Sequence, residues 1–338
     1  MQANHLRLWV GLCVIWVCLF HTSSFAQGYR PFSFGLWGDM PYKKAGDDAK
    51  LPAVLQSINQ ADIQFSIYDG DIKDGSSRCD NVVYADTLEM FAKLVKPVVY
   101  IPGDNEWTDC HRLNNGGYHT NERLEYLRRT MIPTFESLGQ QRMLLERQGR
   151  LGEPYVENVR FKHEGILFIG LNIPGSNNNL VLDSKDCTAY SARDALQCEQ
   201  ANVEYKTRDA ANIQWLQQSF DIAAQQSAVG VVIVFQGDPG FDLPETDGVD
   251  ESKLPEYQGY KNFIAAVVMR TEQYRGQVLL VHGDKHFFKV DKPLYSPYKM
   301  LTNLTRVQTF GSPHLHWVKV LVDQRSANIF QIEPVIVK

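Results

Sequence analysis

Apolar residues along this chain fall into two alternating kinds of run. Short continuous ones, at 32–37, 63–68, 95–101, 229–235 and 277–281, stop abruptly in Gly38-Asp39, Asp69-Gly70-Asp71, Pro102-Gly103-Asp104, Gln236-Gly237-Asp238 and His282-Gly283-Asp284. Runs of this length, rich in β-branched and aromatic residues, predict strands buried on both faces. Between them the apolar spacing changes to three and four. Leu51, Val54, Leu55 and Ile58 predict a helix over 49–60, and Leu88, Phe91, Leu94 and Val95 predict one over 83–95. Ile213, Leu216, Phe220 and Ile222 do the same over 208–225, as do Tyr257, Phe263, Val267 and Val268 over 254–272. Strands alternating with helices predict a layered α/β fold. The tail departs from this: 307–310, 316–322 and 328–337 are strand-like with no helix between, which predicts a second sheet or a hairpin region. The long polar stretch 174–198 reads as a surface loop near the site. With no internal repeat and no flexible linker, residues 27–338 read as one domain.

The first 26 residues set the compartment. A lone Arg7 precedes an apolar run at 8–20, and Ser24-Phe25-Ala26 supplies small residues at a cleavage site. This is the layout of a secretory signal peptide. The run is short against the roughly 20 residues of a full span, so no stable membrane span is expected after cleavage and the chain is expected to be secreted or periplasmic. Of the six cysteines, Cys13 and Cys18 leave with the signal. Cys79, Cys110, Cys187 and Cys198 remain, an even set that predicts two disulfides in an oxidising compartment. Of the three pairings, Cys187–Cys198 and Cys79–Cys110 are favoured. The absence of a CxxC pair argues against a thiolate zinc site. A net charge of −5, with no basic stripe, leaves no footprint for nucleic acid. An anionic substrate would therefore need a local source of positive charge, and a bound metal is one.

A single Gly-Asp after a strand is ordinary turn chemistry. Five of them on successive strands would bring carboxylates together, because strand carboxyl ends line the ligand crevice of open α/β sheets. Crowded carboxylates repel and raise one another's pKa, and a divalent cation resolves the conflict.

The order of these endings resembles the calcineurin-like metallophosphoesterase superfamily, whose pattern is D-x-H, G-D-x-x-D, G-N-H-D/E, a lone His and G-H-x-H at strand ends. Here the positions read Asp39-Met40-Pro41, Gly70-Asp71-Ile72-Lys73-Asp74, Gly103-Asp104-Asn105-Glu106, Gln236 and Gly283-Asp284-Lys285-His286, spanning about 33–290. The second motif is intact, the third and fifth are modified, and the first and fourth have lost their histidine. The resemblance implies a layered sandwich of mixed β-sheets flanked by helices. It also implies hydrolysis of a small phosphorylated substrate, a phosphomonoester or phosphodiester, at two divalent cations (manganese, iron, zinc or calcium). Asp71 would bridge them, Asp39 and His286 would hold the first, and Asp104 and Asp284 the second. A one-residue shift would make Asn105 the ligand instead.

Carboxylates in place of histidines move such a site toward harder metals. Asn105 stands where the family has its proton-donating His and has no titratable proton, so His111 and Glu106 are the candidate acids. Lys73 is a candidate phosphate contact. His282 is a further candidate ligand, ranked below His286 because strand alternation aims it at the opposite face. His314 and His316 form a His-x-His pair that a strand would place on one face. Trp37 and Trp107, flanking two motifs, read as core. The lost histidines keep a second function in view, a non-catalytic binding protein on the same scaffold.

Overall fold

The computed structural model describes residues 30–241, 249–293, 295–296 and 299–338, so the expected signal peptide lies outside the described residues. Two mixed sheets pack face to face with helices on their outer sides. The first runs in the order β14-β13-β1-β2-β3, made of β1 (Phe32–Trp37), β2 (Ser66–Tyr68), β3 (Val98–Tyr100), β13 (Trp317–Val322) and β14 (Phe330–Val335). The second runs β4-β5-β6-β7-β8-β12-β9, made of β4 (Glu146–Arg147), β5 (Val159–His163), β6 (Ile166–Gly170), β7 (Gly230–Val234), β8 (Gln277–His282), β9 (Lys289–Asp291) and β12 (Leu304–Gln308). A two-stranded ribbon, β10 (Tyr295–Ser296) with β11 (Lys299–Met300), stands apart from both. The predicted strands are all present, and the tail divides: β12 joins the second sheet, while β13 and β14 extend the first.

Side-chain alternation explains the layering. Phe34 and Leu36 of β1 meet Val232 and Val234 of β7 and Leu279 and Val281 of β8 in the layer between the sheets. The opposite face of the first sheet, with Trp37 and Tyr68, packs on α1 (Leu51–Gln60), α2 (Asn81–Phe91) and α3 (Thr120–Met131). Val231, Ile233, Val278 and Leu280 on the outer face of the second sheet pack on α4 (Ala195–Gln225) and α5 (Lys261–Gln273). Strands β1, β2 and β3 are mutually parallel, as are β6, β7, β8 and β12. Their carboxyl ends supply the loops described below.

Three features depart from the sequence pattern. The β5–β6 hairpin lies outside the apolar runs above, as does α3, whose Leu124, Leu127 and Met131 are interleaved with charged residues. The stretch 174–198 is not simply a surface loop. It holds a tight turn at Gly175–Asn178, a short helix at Ser184–Thr188 and the first turn of α4, capped by Asp194 and Gln197. Both favoured disulfides are present, each with a Cα–Cα distance of 5.7 Å. Among the described residues no helix is long and apolar enough to cross a membrane.

Beneath the turn at Gly175–Asn178 lies a buried polar network. Arg128 of α3 donates to both oxygens of the fully buried Glu157, at 2.8 and 2.6 Å, and Asn172 donates to the same carboxylate at 3.0 Å. Removing Glu157 would leave the Arg128 guanidinium buried without its charge partner. Glu157→Ala is therefore expected to lower unfolding stability by about 3–5 kcal/mol, read by urea denaturation, while the double replacement Arg128→Met, Glu157→Leu should lose much less.

Candidate functional site

The strand-end loops converge. Asp39 follows β1, Asp71 follows β2, Asp104 follows β3, Gln236 follows β7, and Asp284 and His286 follow β8. Four of these, Asp39, Asp71, Asp284 and His286, have left-handed backbones, with φ of 50°, 62°, 74° and 66°. L-residues in that region are strained, and such strain collects at functional sites.

The contacts close a ring. His286 Nε2 lies 3.5 Å from Asp39 Oδ1, and the Asp284 backbone N–H donates to Asp39 at 3.1 Å. Gln236 Nε2 sits 3.4 Å from both Asp39 and Asp284. Tyr42 donates its hydroxyl to Asp71 at 3.0 Å, with His286 Nε2 3.4 Å away. Asn105 grips Asp71 twice, through its backbone N–H at 3.1 Å and its side-chain amide at 2.6 Å. A Cβ on Gly175 would stand 2.7 Å from both Asp104 Oδ2 and Asp284 Oδ1, so the bare glycine keeps those two carboxylates facing one open space. Gly283 does the same beside Asp39, and Gly311 beside Asp39 and His286.

Electrostatics follow from this crowding. Burial raises the Asp71 pKa well above the usual carboxylate value, and Asp104, Asp39 and Glu106 raise it further. Asp284 is raised in the same way, by burial and then by Asp104, Asp39 and Asp238. For His286, burial favours the neutral ring, but the hydrogen bond and charge of Asp39 and the Ser312 carbonyl outweigh it and carry the pKa to about 9.

Hard divalent cations fit this donor set in kind: carboxylates and one imidazole, buried, mutually repelling, beside spaces that glycines hold open. Their placement, however, is one of satisfied hydrogen bonds. Among the described residues no three His, Cys, Asp or Glu side chains form a cation-holding group. The amides of Asn105 and Gln236 and the hydroxyls of Tyr42 and Ser176 lie against the carboxylates instead.

Other candidates are placed differently. His282 is fully buried in the outer layer of the second sheet, stacked 5.9 Å from Phe235 and 3.5 Å from Arg306, and its pKa falls to about 3. Burial and the Arg306 charge cause that fall. His111 is also largely buried. Burial, then Arg193 and Arg112, push its pKa to about 3, so the ring is neutral, not imidazolium, near neutrality. Glu106 spends one oxygen on Tyr100 and the Gly103 N–H, holding its own loop. Lys73 is buried rather than solvated; burial lowers its pKa against the pull of Asp109 and Asp71, and its ammonium donates to the Asp74 carbonyl at 3.0 Å. His316 accepts from the Val337 N–H at 3.2 Å and packs on Phe310. Trp37 and Trp107 are core, as expected.

Asp109 was missed, and its sequence setting in Thr108-Asp109-Cys110 offers no signal beyond proximity to the third motif. Burial and Asp104 raise its pKa to about 7, with Arg112 opposing. Ser176 Oγ lies 2.7 Å from both Asp104 and Asp109. One hydroxyl proton cannot serve both acceptors at once. Ser176 is delivered by a run of left-handed residues, Ser176 to Asn179, with φ of 49°, 55°, 55° and 65°. This conformation costs most L-residues roughly 1–2 kcal/mol each, and asparagine tolerates it better. Arg208, fully buried, braces the turn through Asn178 Oδ1 at 2.6 Å and the Asn178 carbonyl at 2.9 Å. The Cys79–Cys110 disulfide ties the loop after β2 to the loop after β3.

No family model and no curated protein matches the sequence. Solved structures do match in shape. PhoD aligns over 91% of this chain and 69% of its own, at 11% identity and a TM-score of 0.51. GAP50, described as the anchor in the inner membrane complex of Plasmodium, aligns over 91% and 89% at 13% identity and a TM-score of 0.42. The 5'-nucleotidase of Candida albicans aligns over 92% of this chain and 53% of its own, at 10% identity and 0.42. Of these three only PhoD exceeds 0.5, and at such identity it speaks to fold alone. The fold is metallophosphoesterase-like.

The Asp39–His286 pair generates a pH prediction for protein stripped of cations by a chelator. The folded pKa of about 9 stands above the ordinary 6.5, so the pair's contribution is full below pH 6.5 and is lost as pH rises through 9. The His286 ring should titrate near 9 by NMR, and Asp39→Asn should bring that midpoint down toward 6.5.

Proposed function

We propose that this chain is an exported, metal-dependent hydrolase of small phosphoesters. The observation that carries this reading is the convergence of Asp39, Asp71, Asp104, Asp284 and His286 from four strand ends, three of the carboxylates and the imidazole on strained left-handed backbone. Export rests on the amino-terminal signal pattern together with two disulfides, which belong to oxidising compartments.

Asp39 and His286 on one side, and Asp104 and Asp284 on the other, would hold two divalent cations, with Asp71 between them. When bound, such ions supply Lewis acidity toward a phosphoryl oxygen and make water acidic enough to attack at neutral pH. The chain's own residues do the rest. Asn105 and Tyr42 fix the Asp71 carboxylate by three hydrogen bonds, so its orientation does not depend on the ions. Gln236 holds Asp39 and Asp284 apart at equal distance. Lys73, buried beside Asp71 and Asp109, offsets part of their charge. Asp109 can hold a proton near neutrality, where the His111 ring is not imidazolium.

A second reading, a non-catalytic binding protein on the same scaffold, is favoured by the neutral donors that already satisfy each carboxylate. Metal stoichiometry separates the two. After equilibration with manganese, elemental analysis should find two ions per chain, and none would favour the binder. Asp71→Asn should cut manganese-dependent hydrolysis of an aryl phosphate by about 100- to 1,000-fold, on the scale of losing a transition-state electrostatic contact. Full activity in that variant would sink the hydrolase reading.

A further inference from the structure

Arg112 is a cation at the edge of this acidic site that the motif pattern does not include. It follows the short helix at Asp109–His111 on the loop after β3. Its Nη1 pairs with Asp109 Oδ2 at 2.6 Å, and its Nη2 donates to Ser176 Oγ at 3.1 Å. Ser176 in turn contacts Asp104. The guanidinium is thus fixed from two sides, by its own loop and by the left-handed turn. Two of its five N–H donors are engaged among the described residues, and about a third of the side chain (32%) is open to solvent.

Gly75 packs beside the guanidinium and Asn105. A Cβ at Gly75 would stand 3.0 Å from Asn105 Oδ1 and 3.7 Å from Arg112 Nη1. The absent side chain lets the Gly75 backbone lie close to both Arg112 and Asn105, and Asn105 is the residue that grips Asp71.

We propose that Arg112 is the substrate-recognition residue of this site and makes it select phosphomonoesters over phosphodiesters. The assignment rests on the phosphoesterase reading above and adds the substrate class. A monoester presents three terminal oxygens and a diester two. An ester with two oxygens directed toward the carboxylate side has a third for Arg112 only if it is a monoester. A planar guanidinium held in place suits that oxygen, because its fork is pre-organised and its hydrogen bonds to phosphate are charge-assisted. Lys73 does not compete for this role, since its ammonium is buried beneath the loops.

The test is calorimetric titration of the manganese-loaded chain with inorganic phosphate and with dimethyl phosphate, alongside hydrolysis of a mono- and a di-aryl phosphate. Wild type should bind phosphate more tightly than dimethyl phosphate. Arg112→Ala should weaken phosphate by roughly 10- to 100-fold, the scale of a charge-assisted hydrogen bond, and narrow the gap between the two ligands. Arg112→Lys keeps the charge without the fork and should recover only part of the loss; it also serves if the alanine variant does not fold. Equal weakening of both ligands, or unchanged phosphate affinity, overturns the assignment. If wild type hydrolyses esters and Arg112→Ala keeps its monoester preference, the hydrolase reading stands and this inference fails. If wild type turns over no ester yet loses phosphate through Arg112→Ala, the reverse holds.

Discussion

Mutual repulsion among buried carboxylates is the constraint around which this molecule is arranged. Parallel strands of two facing sheets deliver acids from separate parts of the chain to one crevice, where water is largely excluded and like charges sit within a few ångströms. Low dielectric makes that arrangement costly unless each charge is paired, protonated or bonded. The loops answer with donors: two side-chain amides, two hydroxyls, backbone N–H groups and one imidazole. Their geometry leaves the carboxylates oriented before any cation arrives, which is the pre-organisation that a charge-handling site needs.

The bracing around the site follows from the same constraint. Loops that carry strained backbone must be over-determined by their surroundings. Here a disulfide joins two of them, Arg208 and two asparagines lock a third, and the Arg128–Glu157 pair underlies it. The Arg208–Asn178 and Arg128–Glu157 braces are buried and polar, so each is sensitive to loss of either partner.

Much of this was legible in the sequence, for physical reasons. The parallel strands are buried on both faces and so appear as unbroken apolar runs, and their polar endings marked the residues that converge. His282, the last residue of β8, turns to Phe235 in the outer layer, whereas His286 on the following loop meets Asp39. What escaped was written in a weaker code. Strand β5 alternates Arg160 and Lys162 with Val159 and Phe161, an edge-like pattern short enough to pass as a loop. Helix α3 keeps its apolar spacing but is polar or charged at most other positions. The acidity of His111 depends on two arginines and on burial, and only Arg112 is its neighbour in sequence. Asp109 became interesting only when the fold set Ser176 against it.

The run Ser176-Asn177-Asn178-Asn179 is in effect one turn of a mirror-image helix, and that handedness filters what evolution or a mutagenesis library can place there. Valine, isoleucine and threonine are barred by their branched Cβ before any question of chemistry arises, and glycine, asparagine and aspartate remain. The asparagine tract is therefore a record of chirality. A chain that replaced it with ordinary polar residues would keep its hydrophilicity and its length, yet present Ser176 on the wrong side of the crevice.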